Sequence, residues 1–167
     1  MTIEKIISGG QTGVDRAALD VALARGIPAG GWCPKGRSAE DGVIDAAYPL
    51  SETPSADPAE RTERNAADAT ATLILVDGPA DAGTRHTMRV ARDLGRPWLA
   101  VDLGDPSERA DLAAIARWLD DNRVRVLNIA GPRESNARGI HRAAASYLQD
   151  LFRHLSLGDD LDELPGA

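Results

Sequence analysis

Ser8-Gly9-Gly10-Gln11-Thr12-Gly13-Val14-Asp15-Arg16 follows a short apolar run, residues 3–7, and opens an amphipathic run, residues 14–25. A strand, a glycine-rich turn and a helix in that order form an arrangement that binds phosphate. Glycines let the backbone turn sharply and come close to an anion. Amides left free at the helix start then point at that anion, helped by the positive end of the helix dipole. The stretch points to a phosphorylated small molecule. One such turn alone is equally compatible with a tight turn and nothing more.

Working outward, the same alternation repeats. Residues 3–7 read as a buried strand. The helix of residues 14–25 places Val14, Ala17, Ala18, Val21 and Ala22 on one face, and Gly26 stands where a C-terminal cap belongs. Residues 27–32 are a second strand candidate, weakened by Gly30 and Gly31. Residues 33–48 form a long loop with room for a short helix, and residues 48–52 a short edge strand. Residues 59–68 read as helix, 72–76 as a strongly apolar strand, 83–94 as helix and 97–101 as strand. Asp105-Pro106-Ser107-Glu108 is a helix start, with a capping Asp, a proline in the first turn and a Glu three residues on. That helix extends to about residue 121, with Leu112, Ile115, Ala116 and Leu119 inward. A last strand, 124–129, and a last helix bearing Ile140, Ala144, Tyr147, Leu148 and Leu151 complete the pattern. The alternation predicts a single α/β domain over residues 1–156, with a mostly parallel sheet and helices on both faces. Residues 157–167, rich in Gly and acidic side chains, read as a flexible tail.

Composition narrows the partners. The chain has 167 residues, with 26 acidic against 19 basic side chains for a net charge of −7. Nucleic-acid binders usually need a basic face to neutralise phosphates, so no nucleic-acid partner is expected. No apolar run reaches the ~20 residues of a membrane span, and the start, Met1-Thr2-Ile3-Glu4-Lys5, lacks the features of a secretory signal. The single cysteine, Cys33, has no intramolecular partner and no Cys/His spacing suggests zinc. A cytoplasmic location is the expectation.

In an open parallel sheet, ligands bind beyond the carboxyl ends of the strands. Three loops leave predicted strands there: Gly9–Gly13, residues 77–84 with Gly83 and Thr84 opening a helix, and residues 128–135, reading Asn-Ile-Ala-Gly-Pro-Arg-Glu-Ser. Their convergence on one rim makes a shared pocket. Candidate ligand groups are Gly9, Gly10, Gln11, Thr12, Gly13, Gly83, Thr84, Gly131, Arg133, Glu134 and Ser135. Arg16 either contacts an anion or pairs with Asp20, one turn on. Lys35 and Arg37 either hold phosphate or belong to a solvated loop. Arg61 and Asn65 share a helix face that either reaches the pocket or forms a surface ladder. His86, His141 and His154 have no partner spacing and read as structural or surface groups. Cys33 reads as a small buried apolar residue. Trp32, at the pocket mouth, either packs or stacks on a flat ring.

Four segments together resemble the molybdenum cofactor carrier family, also described as circularly permuted YpsA-like proteins. They are residues 8–20, the stretch Gly30-Gly31-Trp32-Cys33-Pro34-Lys35-Gly36-Arg37 with Glu40-Asp41-Gly42, the pair Gly83-Thr84, and Leu127 to Ser135. The resemblance covers roughly residues 3–150. It implies a Rossmann-like fold, a homo-oligomer (dimer or tetramer), and a pocket for molybdenum cofactor, a pterin dithiolene ending in a phosphate. The phosphate would suit the three loops and the pterin would suit Trp32. A wider group resembling the chain, the lysine-decarboxylase-like proteins, includes phosphoribohydrolases with a Gly-Gly-x-Gly-Thr-x-x-Glu loop. Here Gly83-Thr84 survives, but Thr87 stands in place of the catalytic Glu. A hydrolase acting on a nucleotide would need another carboxylate: Glu134, Asp15 or Asp41. Ala69-Thr70 also replaces an Asp often found in the carrier-like family. Carrier, hydrolase and nucleotide-sensing module remain the three readings of the sequence.

Overall fold

A computed structural model describes residues 3–158. The elements run β1 (Lys5–Ile7), α1 (Val14–Ala24), β2 (Ala29–Gly30), β3 (Trp32–Cys33), β4 (Ser38–Ala39), β5 (Gly42–Val43), β6 (Ser51–Glu52), α2 (Pro58–Asp68), β7 (Ala71–Val76), α3 (Ala82–Asp93), β8 (Trp98–Asp102), α4 (Pro106–Ala110), α5 (Leu112–Asp121), β9 (Val126–Ala130) and α6 (Ile140–His154), with a 3-10 turn at Glu134–Asn136. Five strands form the central sheet in the order β2-β1-β9-β7-β8, and every pair in it is parallel. The fold is the expected Rossmann-like α/β domain.

Strand periodicity divides the sheet into two unequal faces. On one face Leu73, Leu75, Leu127 and Ile129 join α1, α5 and α6 in the main core, with Val14, Leu119, Leu148, Leu151 and Phe152. The alternate residues of β7 and β9 face α2 and α3, and several are small or polar: Thr72, Asn128 and Ala130 meet Ala66, Ala69 and Ala91. Large side chains fill the first face, and the second mixes these small and polar residues with the buried Ile74 and Val76.

Local differences from the sequence reading have local causes. The helix expected from Asp105 to residue 121 is two helices, because Asp111 also caps: its carboxylate accepts from the Ala114 amide at 3.0 Å. The strand expected over 27–32 breaks at Gly31, whose φ of +126° turns the chain. Its first half pairs with β1 and its second with β6, the short edge strand expected near residues 48–52. The loop that had room for a short helix instead carries the antiparallel pair β4–β5. Leu157 is buried, and its carbonyl accepts from the Arg25 guanidinium at 2.8 Å. The rest of the acidic segment, residues 159–167, lies outside the described residues.

Gly31 has a second constraint. A Cβ there would stand 2.2 Å from the Ser8 carbonyl oxygen, whereas Gly95 (φ +66°) has nothing within 4 Å. Gly31→Ala should therefore cost about 2–4 kcal/mol, a clash added to backbone strain. Gly95→Ala should cost about 1 kcal/mol, the strain alone. Urea unfolding of both variants measures the difference; equal costs would show that the clash relaxes.

Candidate functional site

The strands β1, β9 and β7 lie side by side in the middle of the sheet, so the loops that leave their carboxyl ends converge. Two glycines allow them to touch. A Cβ on Gly13 would lie 2.3 Å from the Pro132 carbonyl oxygen, and one on Gly131 would lie 2.3 Å from the Leu75 carbonyl oxygen and 2.6 Å from Val14 Cγ2. Ser8 Oγ donates to the Ile129 carbonyl at 2.6 Å, tying the first loop to β9.

Glu40 latches the first and third loops from outside. Its carboxylate accepts from the hydroxyls of Thr12 and Ser135 and from the Ser135 amide. Its own amide donates to Gln11 Oε1 at 3.0 Å. The Ser135 hydroxyl, followed by that of Thr12, holds the Glu40 carboxyl below its ordinary value.

Beneath the loops, on the lighter face of the sheet, lies a cavity of about 230 Å³. Asn128 and Ala130 belong to its floor. Arg61 and Asn65 come from α2, and Gly83, Thr84, His86 and Thr87 from α3. Gly9, Gln11, Asp15, Gly131 and Arg133 close it from the first and third loops, with Asp81 and Asn136 beside the start of α3. Arg61 is buried and donates to the Gly9 carbonyl at 2.8 Å. Its guanidinium stands 3.8 Å from Asp15. Burial pushes the Asp15 carboxyl up, with Arg61 partly offsetting it. Asn65 clamps both the amide and the carbonyl of Trp32, at 2.8 and 3.0 Å.

Three buried side-chain polar atoms among the described residues have no hydrogen-bond partner: Thr84 Oγ1, His86 Nε2 and Tyr147 Oη. The first two belong to residues that line this cavity. Buried polar groups are normally paired, so two such atoms beside one cavity set it apart from the rest of the described residues.

The sequence-derived candidates divide. Gly9, Gln11, Gly83, Thr84, Gly131 and Arg133 line the cavity; Gly10, Thr12, Gly13, Arg16, Trp32, Lys35, Arg37, Glu134 and Ser135 do not. Three amides around the start of α1 are engaged: Val14 N donates to Pro132 O, Gln11 N to Asp15 Oδ2 and Thr12 N to Gln11 Oε1. Gly9 and Gln11 of the same turn line the cavity. At α3 the Asp81 carboxylate accepts from the Thr84 amide at 2.8 Å, and the Ala82 and Gly83 amides of the first turn have no acceptor within the helix.

Arg16 pairs neither with Asp20 nor with the cavity. It binds Asp41 at 2.6 Å and the Gly10 carbonyl at 3.0 Å. Arg37 donates to the carbonyls of Ile44, Asp45, Tyr48 and Leu50, which fastens its own loop. Lys35 is exposed. Trp32 Nε1 donates to Asp68, and the Arg64 guanidinium lies 4.8 Å from its ring. Glu134 caps α6, accepting from the Gly139 and His141 amides at 2.6 and 3.0 Å. The other fallback carboxylate, Asp41, is held by Arg16. Thr87 Oγ1 bonds the Gly83 carbonyl at 3.2 Å.

Several lining residues were not singled out by the sequence. Asn128, a lone amide in an apolar strand, carried a readable signal; its amide donates to Thr72 Oγ1 at 3.3 Å. Asp81 three residues before Thr84 was a legible cap. His86 carried none.

The Glu40 latch should be sensitive to acid. Its folded value lies below its unfolded one, so its contribution is complete above about pH 4.3 and fades as the pH falls through the lowered folded value. Hydrogen exchange at about pH 3 should show the Ser135 amide losing protection relative to the β9 amides, and Glu40→Ala should show that loss at neutral pH too. Unchanged Ser135 protection in Glu40→Ala would remove the latch.

Comparison with known proteins places this geometry. None of the curated proteins matches the chain. Among solved structures, a protein of Syntrophus aciditrophicus described as a putative molybdenum carrier protein has 43% sequence identity and a TM-score of 0.86. The match covers 89% of this chain and 94% of that one. The family model described as circularly permutated YpsA SLOG matches residues 6–152, which takes in the sheet, the three loops and nearly all of α6. The chain belongs to the circularly permuted YpsA SLOG family.

Proposed function

We propose that this chain binds, without transforming it, a phosphorylated nucleotide-like ligand of the molybdenum cofactor type, with its phosphate at the start of α3. The observation that carries the reading is Thr84: its hydroxyl is buried, unpartnered, and sits in the first turn of α3 beside a cavity reached by Arg133. A helix start with an adjacent guanidinium and a spare hydroxyl is a set of donors suited to a phosphate. The name of the Syntrophus protein supports molybdenum cofactor as the ligand to try first.

The residues present fit the phosphate end of that cofactor. The cavity is smaller than the roughly 300–1,000 Å³ that encloses a drug-sized ligand, so it suits the phosphate and adjoining atoms and leaves the ring system at the mouth. Among the described residues no group of His, Cys, Asp or Glu could hold a metal ion; the molybdenum would be carried by the ligand's own dithiolene. The chain's part is to hold and shield. A cytoplasmic setting and a homo-oligomer complete the reading. No helix among the described residues is long and apolar enough to cross a membrane.

One observation favours a hydrolytic alternative. Asp15 is a buried carboxyl lining the cavity and is pushed towards its protonated form by burial, which suits a proton donor to a leaving group. A nucleotide panel assayed for released base or phosphate decides this alternative: turnover abolished in Asp15→Asn supports it, and no turnover removes it.

For the carrier reading, titration calorimetry with molybdenum cofactor under anaerobic conditions should give micromolar or tighter binding. Thr84→Val should weaken it by about threefold to tenfold and Arg133→Ala by about tenfold or more. Lys35→Ala, outside the cavity, should leave it unchanged. Absence of heat, or equal effects of all three variants, would end the reading.

A further inference from the structure

His86 stands two residues beyond Thr84 on α3, and both line the cavity. Residues two apart on a helix point in different directions, so the two orphaned atoms are best served by different parts of one ligand. We infer that His86 is the specificity-determining residue of this site: its Nε2 hydrogen-bonds a hydroxyl or ring nitrogen on the organic body of the phosphorylated ligand, and not the phosphate. The inference rests on the ligand site proposed above and extends it to a class. The preferred occupant is a phosphoester whose body carries a polar atom near the phosphate, and inorganic phosphate is bound less well.

The surroundings of His86 favour this role over a structural one. Its Nε2 has no protein partner although it is shielded from solvent. The carboxylates that line the same cavity are committed to protein contacts, and Arg133 is assigned to the phosphate. Asp15 is bonded by the Gln11 amide and lies beside Arg61. Asp81 is bonded by the Thr84 amide and by Asn136. Arg133 lies 4.0 Å from Glu40. A buried polar nitrogen without a partner costs free energy in the unliganded protein, a cost characteristic of groups kept for a ligand.

The test uses inorganic phosphate and AMP as probes, with calorimetry on the wild type, Thr84→Val, His86→Leu and His86→Gln, and thermal melting of each free protein. The wild type should prefer AMP. Thr84→Val should weaken both probes by about threefold to tenfold. His86→Leu should weaken AMP by a similar factor and leave phosphate unchanged. His86→Gln, whose amide nitrogen can stand near the place of Nε2, should recover most of the AMP affinity. Free His86→Leu should melt no lower than the wild type, because the change removes an unpaired group. Phosphate binding with no gain for AMP, or His86→Leu weakening both probes or neither, overturns the inference and leaves the ligand site standing. A lower melting temperature of free His86→Leu also overturns it, since His86 would then hold the fold. Failure of the wild type to bind either probe overturns the ligand site and the inference with it.

Discussion

The Pro132 carbonyl oxygen occupies the place that a side chain on residue 13 would need, and from there it accepts the first amide of α1. Much of the site's geometry depends on that contact. It brings the loop after β9 against the loop after β1, which puts Arg133 at the cavity and turns Glu134 away to cap α6. The starts of α2 and α3 line the cavity as well, through Pro58 and Ala59 and through Gly83 and Thr84.

The cavity exists because the two faces of the sheet are packed unequally. The face covered by α1, α5 and α6 is filled by Leu, Ile and Phe side chains. The other presents Thr72, Asn128 and Ala130 beside the buried Ile74, towards α2 and α3, whose buried residues are Arg61, Asn65, Ala66, Thr84, Thr87 and Ala91. Small side chains at close packing would simply bring the helices nearer. Here Arg61 lies between α2 and the first loop, bonded to Gly9 and beside Asp15. Burial disfavours the charged form of Asp15 and the Arg61 guanidinium offsets this in part, so each residue conditions the other. The pair belongs to the cavity wall and to the stability of the fold at once.

The residues between β3 and β6 act on the site indirectly. Arg37 gathers four carbonyls of its own loop. Arg16 joins that loop to α1 through Asp41, and Glu40 joins it to both Thr12 and Ser135. The segment reads in sequence as a ligand-binding loop because it is rich in Lys, Arg and Gly. In the fold it braces the two loops that do reach the cavity.

The alternation of apolar runs with amphipathic ones was enough to establish the α/β class, the places of the main strands and helices, and the convergence of three loops, because right-handed parallel crossovers bring strand ends to one rim. The caps at Asp105 and Gly26 were equally legible, since capping depends on neighbours in the chain. Which partners the first loop takes was decided only by tertiary structure. Thr12, Gly13 and Arg16 share the local signature of a phosphate loop, yet their partners, Pro132, Glu40 and Asp41, lie 25 or more positions away. Arg61, Asn128 and His86 meet at the cavity from three separate elements. No local spacing encodes that meeting, because it arises from the order of strands in the sheet and from the small side chains that leave the space between them.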